Sequence, residues 1–118
     1  MRKITTEASL AFLNMEDYKK DNTRVEVIRQ PHMTDVHLYL HWNEIARSNG
    51  KELHLDDCGW KTNTTKERIN WLLYWMGLKI QQVKGEWYIK DSSHTWDFDN
   101  VDYIDRDTCL PVLYALNY

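Results

Sequence analysis

The stretch from Gly59 to Gly77 constrains the fold most, because it carries a helix start, a regular interior and a helix stop. Thr64 and Glu67 have the spacing of a capping box, in which the threonine oxygen accepts from the Glu67 amide and the glutamate reaches back to the Thr64 amide. Gly77 supplies the left-handed residue that ends a helix at low cost. At about 100° per residue, Ile69, Leu72, Leu73 and Met76 fall on one apolar stripe. A helix with one such stripe must cover a sheet or another helix, and the flanking segments read as short strands.

Those strands follow from period-two alternation. Thr23 to Arg29 is one, ended at Gln30-Pro31-His32 because proline has no ladder donor. Asp35 to Trp42 is the clearest, with Val36, Leu38, Leu40 and Trp42 on one face and His37, Tyr39 and His41 on the other. Asn43-Glu44 is expected to turn the chain into a short strand, Ile45 to Ser48. Asn49-Gly50 is a strong two-residue hairpin signal, and Lys51 to Leu55 returns with Leu53 and Leu55 inward. Beyond the helix, Leu78 to Val83, a Lys84-Gly85 turn and Glu86 to Lys90 make a second hairpin. At the N-terminus, Ala8, Ala11, Phe12 and Met15 recur at helical spacing behind Thr6, and Glu16 to Asn22 reads as a loop. The expected fold is α+β: a short N-terminal helix, an antiparallel β-meander, one central helix packed on the sheet, then a β-hairpin and an acidic C-terminal extension.

The chain reads as a single domain of 118 residues, with 1–90 as its core unit and 91–118 as the extension docked on it. Charge sets that boundary. Residues 1–90 carry fourteen Lys and Arg against twelve Asp and Glu, whereas 91–118 carry one Arg against six Asp. Within the extension, Thr95 to Phe98 and Val101 to Ile104 suggest two strands around Asp99-Asn100. Leu110 to Leu116 is too apolar for water but fits strand or helix equally. No secretory leader or apolar run of membrane-spanning length is present, and Cys58 and Cys109 are expected as free thiols. A soluble intracellular protein is the expectation.

Candidate chemistry is sparse. His37 and His41 share a strand face but lie about 13 Å apart, too far to bind one ion with ligand bonds of ~2 Å. A metal-dependent hydrolase built on His37, His54 and Asp56 would require a particular sheet register. Asp97, Asp99, Asp102, Asp105 and Asp107 lack the glycine bend and terminal glutamate of a calcium loop, which leaves a solvated acidic surface. No residue is assigned a catalytic or metal-binding role, and no cofactor is expected.

Two features of the central helix exceed what a sheet-covering helix needs. Trp71 and Trp75 lie well away from the apolar stripe, near Arg68, and so require a partner: the apolar tail, another chain or a ligand. The helix start gathers Trp60, Lys61, Thr62, Asn63, Thr65, Lys66 and Arg68. First-turn amides, the positive end of the dipole and three cations fit a phosphate or a nucleic-acid backbone, with Trp60 as a stacking platform. Ordinary capping accounts for the threonines and asparagine as well.

Asn22-Thr23-Arg24-Val25, Leu38-Tyr39-Leu40-His41-x-Asn43-x-Ile45-Ala46, Gly59-Trp60-x-Thr62-x-Thr64-Thr65-Lys66-x-Arg68-x-Asn70 and Gln82-x-x-x-x-Trp87-Tyr88 together resemble small proteins of unassigned activity encoded by tailed bacteriophages. The resemblance covers about residues 5–90. It implies a bacteriophage gene product in the cytoplasm of a bacterial host cell. Two departures stand out: Trp42 occupies a position where a hairpin turn favours glycine, and the acidic segment after Lys90 looks like an addition. The leading expectation is a non-enzymatic accessory protein that binds a host or phage protein through an aromatic and acidic surface, inhibiting or redirecting it, with the acidic tail as a decoy for a basic groove. The alternative is a nucleic-acid or nucleotide-phosphate binder using the basic helix start. No membrane partner is expected, and a homodimer through the second aromatic stripe remains open.

Overall fold

The computed structural model describes residues 3–115 and is α+β. Helix α1 (Lys3–Leu13) leads into a run of strands: β1 (Tyr18–Lys20), β2 (Thr23–Gln30), β3 (Met33–Leu40), β4 (Asn43–Ser48) and β5 (Glu52–Leu55). The central helix α2 (Asn63–Tyr74) follows, then β6 (Lys79–Val83), β7 (Glu86–Lys90), β8 (Thr95–Asp97), a short 3-10 turn (Phe98–Asn100), β9 (Val101–Asp105) and β10 (Leu110–Leu113). The strands form a seven-stranded sheet, ordered β1-β2-β3-β4-β5-β9-β10, and a three-stranded sheet, β6-β7-β8; every pairing is antiparallel.

Alternation decides which face of the large sheet is covered. Val25, Val36, Leu38, Leu40, Leu53 and Ile104 are buried in a core shared with Ala8, Phe12, Ile69, Leu72 and Leu73 of the helices. Ile45 and Ala46 are adjacent and both buried. That breaks strict alternation because the β3–β4 register shifts between Leu38 and Tyr39, leaving Ile45 as an extra residue. The small sheet adds Ile80, Trp87 and Ile89, and the Phe98 ring meets Trp87 edge-on at 5.4 Å. Asn70 Oδ1 accepts from the Ile80 amide at 2.6 Å, fastening α2 to β6.

The central helix stands where the sequence places it, with Ile69, Leu72 and Leu73 buried and Met76 packed beside them. Its start differs. Thr62, not Thr64, is the cap: its backbone is extended and its Oγ1 accepts from the Thr65 amide at 3.2 Å. Glu67 also reaches beyond its own helix, where its Oε1 accepts from the Thr5 hydroxyl at 2.6 Å. The helix ends as expected, with Leu78 N donating to Leu73 O and Gly77 N to Tyr74 O around a left-handed Gly77 at φ 71°.

Other expectations are corrected. Helix α1 already runs through Thr5, so Thr6 is not its cap. Lys19 and its neighbours form a strand, β1, rather than a loop. The turn after β3 is His41-Trp42, not Asn43-Glu44, since Leu40 pairs with Asn43. Both turn residues have positive φ, 51° and 71°, which marks a type I′ hairpin. Trp42 therefore leaves the face of Val36, Leu38 and Leu40 and is 79% exposed. Asn49-Gly50 does close β4 onto β5, but in a longer connection in which Asn49 Oδ1 accepts from the amides of Lys51 and Glu52.

The acidic segment is woven into both sheets. β8 pairs with β7, β9 inserts beside β5, and β10 pairs with β9, so the two strands flanking Asp99-Asn100 lie in different sheets. Leu110 to Leu113 is a strand, which settles the strand-or-helix ambiguity for those residues; Leu116 lies outside the described residues.

Candidate interaction surfaces

The helix start does not assemble the expected cationic site. Lys61 Nζ is held by Asp57 Oδ2 at 2.7 Å and lies 3.6 Å from Asp99. The hydrogen bond to Asp57 is the main reason its pKa is raised. Burial works against ionisation of Asp57, but the bonds from the Lys61 ammonium and the Gly59 amide outweigh it and hold the carboxyl below its usual range. Lys66 Nζ donates to Gln82 on β6. Arg68 is 1% exposed; its guanidinium donates to the hydroxyls of Thr5 and Thr23 and lies 3.6 Å from Glu67. Thr65 is buried too. Three cations adjacent in sequence thus point to three destinations, because Arg68 lies on the inward face of α2 and Lys61 belongs to the preceding turn.

A cleft of about 280 Å³ does open at this helix end, between Trp60, Thr62 and Thr64 on one side and His41 and Asn43 on the other. None of Lys61, Lys66 and Arg68 lines it. Trp60 is 69% exposed at its rim, and Asn63 is an exposed first-turn residue. The cleft wall includes Cys58, whose thiol donates to the Glu44 carbonyl at 3.1 Å and is pushed up in pKa, mainly by burial. Both cysteines are free.

The other end of α2 carries the aromatic surface. Trp71 stacks on Tyr74 at 5.4 Å with planes 17° apart, and Trp75 meets Tyr74 edge-on at 5.4 Å and Trp71 at 6.1 Å. Tyr74 and Trp75 are 62% and 56% exposed. The described part of the apolar tail lies elsewhere: β10 sits at the far edge of the large sheet, with Leu110, Leu113 and Tyr114 themselves exposed. The sequence reading named Trp71 and Trp75 and missed Tyr74. The same i, i+3 spacing from Trp71 would have found it.

On the open face of the large sheet, the histidines each have carboxylate partners. His37 Nδ1 contacts Glu44, and His54 Nε2 contacts Glu52 at 3.0 Å. The register places Arg47 opposite both His37 and His54, so a cation stands between them in the row. Among the described residues no group of three or more His, Cys, Asp or Glu gathers as a metal-ligand set. The aspartates of the acidic segment partly serve turns: Asp97 accepts from the Asp99 amide, and Asp105 from those of Asp107 and Thr108.

One surface escaped the sequence reading. Where the β1–β2 turn meets the His41-Trp42 turn, Lys19, Asn22, Arg24, Tyr39, His41 and Trp42 line a cleft of about 280 Å³, together with Asp21 and Thr23. The Arg24 guanidinium carbon lies 4.4 Å from the centre of the Tyr39 ring and 5.6 Å from that of Trp42. The available signal was the glycine-type turn filled by tryptophan.

The described residues define a small α+β protein, with two antiparallel sheets and two α-helices. No helix among the described residues is long and apolar enough to cross a membrane. The model of the Kyanoviridae Gp96 protein family matches residues 1–108, and the chain belongs to this family, a bacteriophage protein family of unassigned function. The match extends beyond residue 90, so most of the acidic segment belongs to the shared part, in keeping with its strands lying inside both sheets. Neither the search of curated proteins nor that of solved structures found a match.

Proposed function

We propose that this bacteriophage protein is a non-enzymatic accessory protein that binds a host or phage protein in the host cytoplasm, inhibiting or redirecting it, through the aromatic end of α2. One observation carries the reading. Tyr74 and Trp75 are more than half exposed yet are held by ring contacts with each other and with Trp71. Rings fixed in this way offer large contact area with little side-chain entropy left to lose on binding, the usual make-up of interface anchors. A homodimer through the same rings is the competing use of this surface.

The test compares the wild-type protein with a Tyr74→Ala/Trp75→Ala double variant, as bait in host lysate and by light scattering. The proposal expects a specific protein retained by wild type and lost by the variant, with far-UV circular dichroism unchanged. Equal recovery by both baits would falsify the assignment to this face. A wild-type dimer that the variant converts to monomer, with no protein captured, would assign the rings to self-association instead.

A further inference from the structure

We propose that the cleft between the β1–β2 turn and the His41-Trp42 turn binds a nucleoside phosphate, with the ring system stacked on Trp42 and the phosphate held by Arg24 and Lys19. This site shares only His41 with the cleft at the start of α2 and none of the aromatic residues at the other end of that helix.

The first support is Arg24. A guanidinium withdrawn from water is commonly paired with a carboxylate. Arg24 instead lies over Tyr39 and against Trp42, and its Nε is buried without a hydrogen-bond partner among the described residues. The guanidinium also reaches the Tyr39 hydroxyl, but with five N–H groups its planar fork retains donors for an incoming anion, for which it is suited. Lys19 adds a second cation on the cleft wall, against one acid, Asp21.

The second support is the backbone. His41 and Trp42 both hold positive φ, where a bulky side chain is strained and Asn or Gly is favoured. The strain presents the indole to solvent at the mouth of the cleft, 79% exposed and not buried in any core. Strain of this kind persists where surrounding structure over-determines it, and it concentrates at ligand sites. Here the His41 amide donates to the Asn22 carbonyl at 2.8 Å, and His41 Nε2 lies 3.2 Å from Asn22 Nδ2, locking the two turns together.

The third support is fit. A cleft of about 280 Å³ lies near the lower end of small-molecule sites and suits about one nucleotide. Its polar groups, Asn22 and His41, line the same cleft as the indole and supply donors and acceptors for the edge of a stacked base. A flat exposed ring beside a guanidinium that no carboxylate among the described residues holds favours a ligand with both an aromatic ring and an anion over one with an anion alone.

The experiment titrates the full protein at low salt with a fluorescently labelled 12-nucleotide single strand, its duplex, and free nucleoside mono- and triphosphates as competitors. Variants are Trp42→Ala, Arg24→Gln and, as a control on the distant aromatic face, Trp75→Ala. Saturable binding that weakens with salt is expected, reduced about tenfold by Trp42→Ala and by a similar factor by Arg24→Gln, and unchanged by Trp75→Ala. Competition by free nucleotides makes the ligand a nucleotide. Binding of the single strand without such competition makes it a strand, with several units engaged. Both support the site. It is overturned if neither ligand binds, if Trp42→Ala binds like wild type, if the duplex binds as well as the single strand, or if inorganic phosphate or a glutamate-rich peptide displaces the ligand as well as a nucleotide does. Because Trp42 is almost fully exposed, Trp42→Ala leaves the core intact, and Trp42→Phe should restore most of the binding.

Discussion

Thr5 is the residue whose loss tests most directly how the two helices are joined. It is completely buried, its hydroxyl donates to Glu67 Oε1 at 2.6 Å, and it accepts from the Arg68 guanidinium. Thr5→Val replaces that hydroxyl with a methyl of nearly equal volume, so packing is preserved and only the polar contacts go. A hydrogen bond to a charged group contributes about 1.5–3 kcal/mol. Glu67 is partly exposed and can recover water, whereas Arg68 cannot. Its guanidinium keeps Thr23 at 3.4 Å and Glu67 at 3.6 Å, which limits the damage. The expected net loss is about 2 kcal/mol. For a chain of this length the unfolding entropy is roughly 0.25 kcal/mol per kelvin, so Tm should fall by about 8 °C. Thr5→Ser keeps the hydroxyl and loses one buried methyl, about 0.8 kcal/mol. Urea denaturation and calorimetry of wild type, both variants, Arg68→Met and the Thr5→Val/Arg68→Met pair close a double-mutant cycle, in which a coupling above about 1 kcal/mol is expected. If Thr5→Val melts within about 2 °C of wild type, or the two sites prove additive, the α1–α2 polar junction does not contribute as argued.

The Asp57 carboxyl has a lower pKa folded than unfolded, so its contribution is present above the unfolded value and is lost as pH falls through the folded one. Wild-type Tm should therefore decline below about pH 4, and Asp57→Asn should flatten part of that decline, as read by calorimetry between pH 2.5 and 6. Gly77→Ala places a Cβ where nothing lies within 4 Å, so its cost is conformational alone; about 1 kcal/mol, or some 4 °C in Tm, is expected from the left-handed backbone. Phe98→Ala removes the ring packed edge-on against Trp87 and should lower unfolding free energy by about 3–4 kcal/mol, measured by urea titration. The Cys58 thiol, raised in pKa by burial and by nearby carboxylates, should alkylate more slowly with iodoacetamide at neutral pH than a free cysteine peptide does; reaction at the peptide's rate would contradict its packing against the Glu44 carbonyl.

Sequence alone determined the features that depend on neighbours along the chain. The apolar stripe of Ile69, Leu72 and Leu73, the Gly77 stop, the alternation of Val36, Leu38 and Leu40 and the Lys84-Gly85 turn are all local signals, and all are realised. The aromatic end of α2 was legible in part for the same reason, since helical periodicity places Trp71 and Trp75 away from the core stripe; Trp71 is half-buried there and Trp75 exposed.

Tertiary structure decided whatever required a competitor from elsewhere. The Thr64–Glu67 pattern placed the helix start within two residues, but the cap is Thr62, and Glu67 Oε1 accepts from Thr5 on the other helix. Arg68 reads as one more cation at a helix start, and only the approach of α1 and β2 turns it into a buried junction. Composition marks residues after 90 as an appendage, yet strand pairing places β9 beside β5 and Ile104 in the core. The cleft around Trp42 joins two turns that are about twenty residues apart in sequence. Local propensity and periodicity carry information over a few residues, whereas partner choice for a polar or charged side chain is a comparison among all groups the fold brings near it.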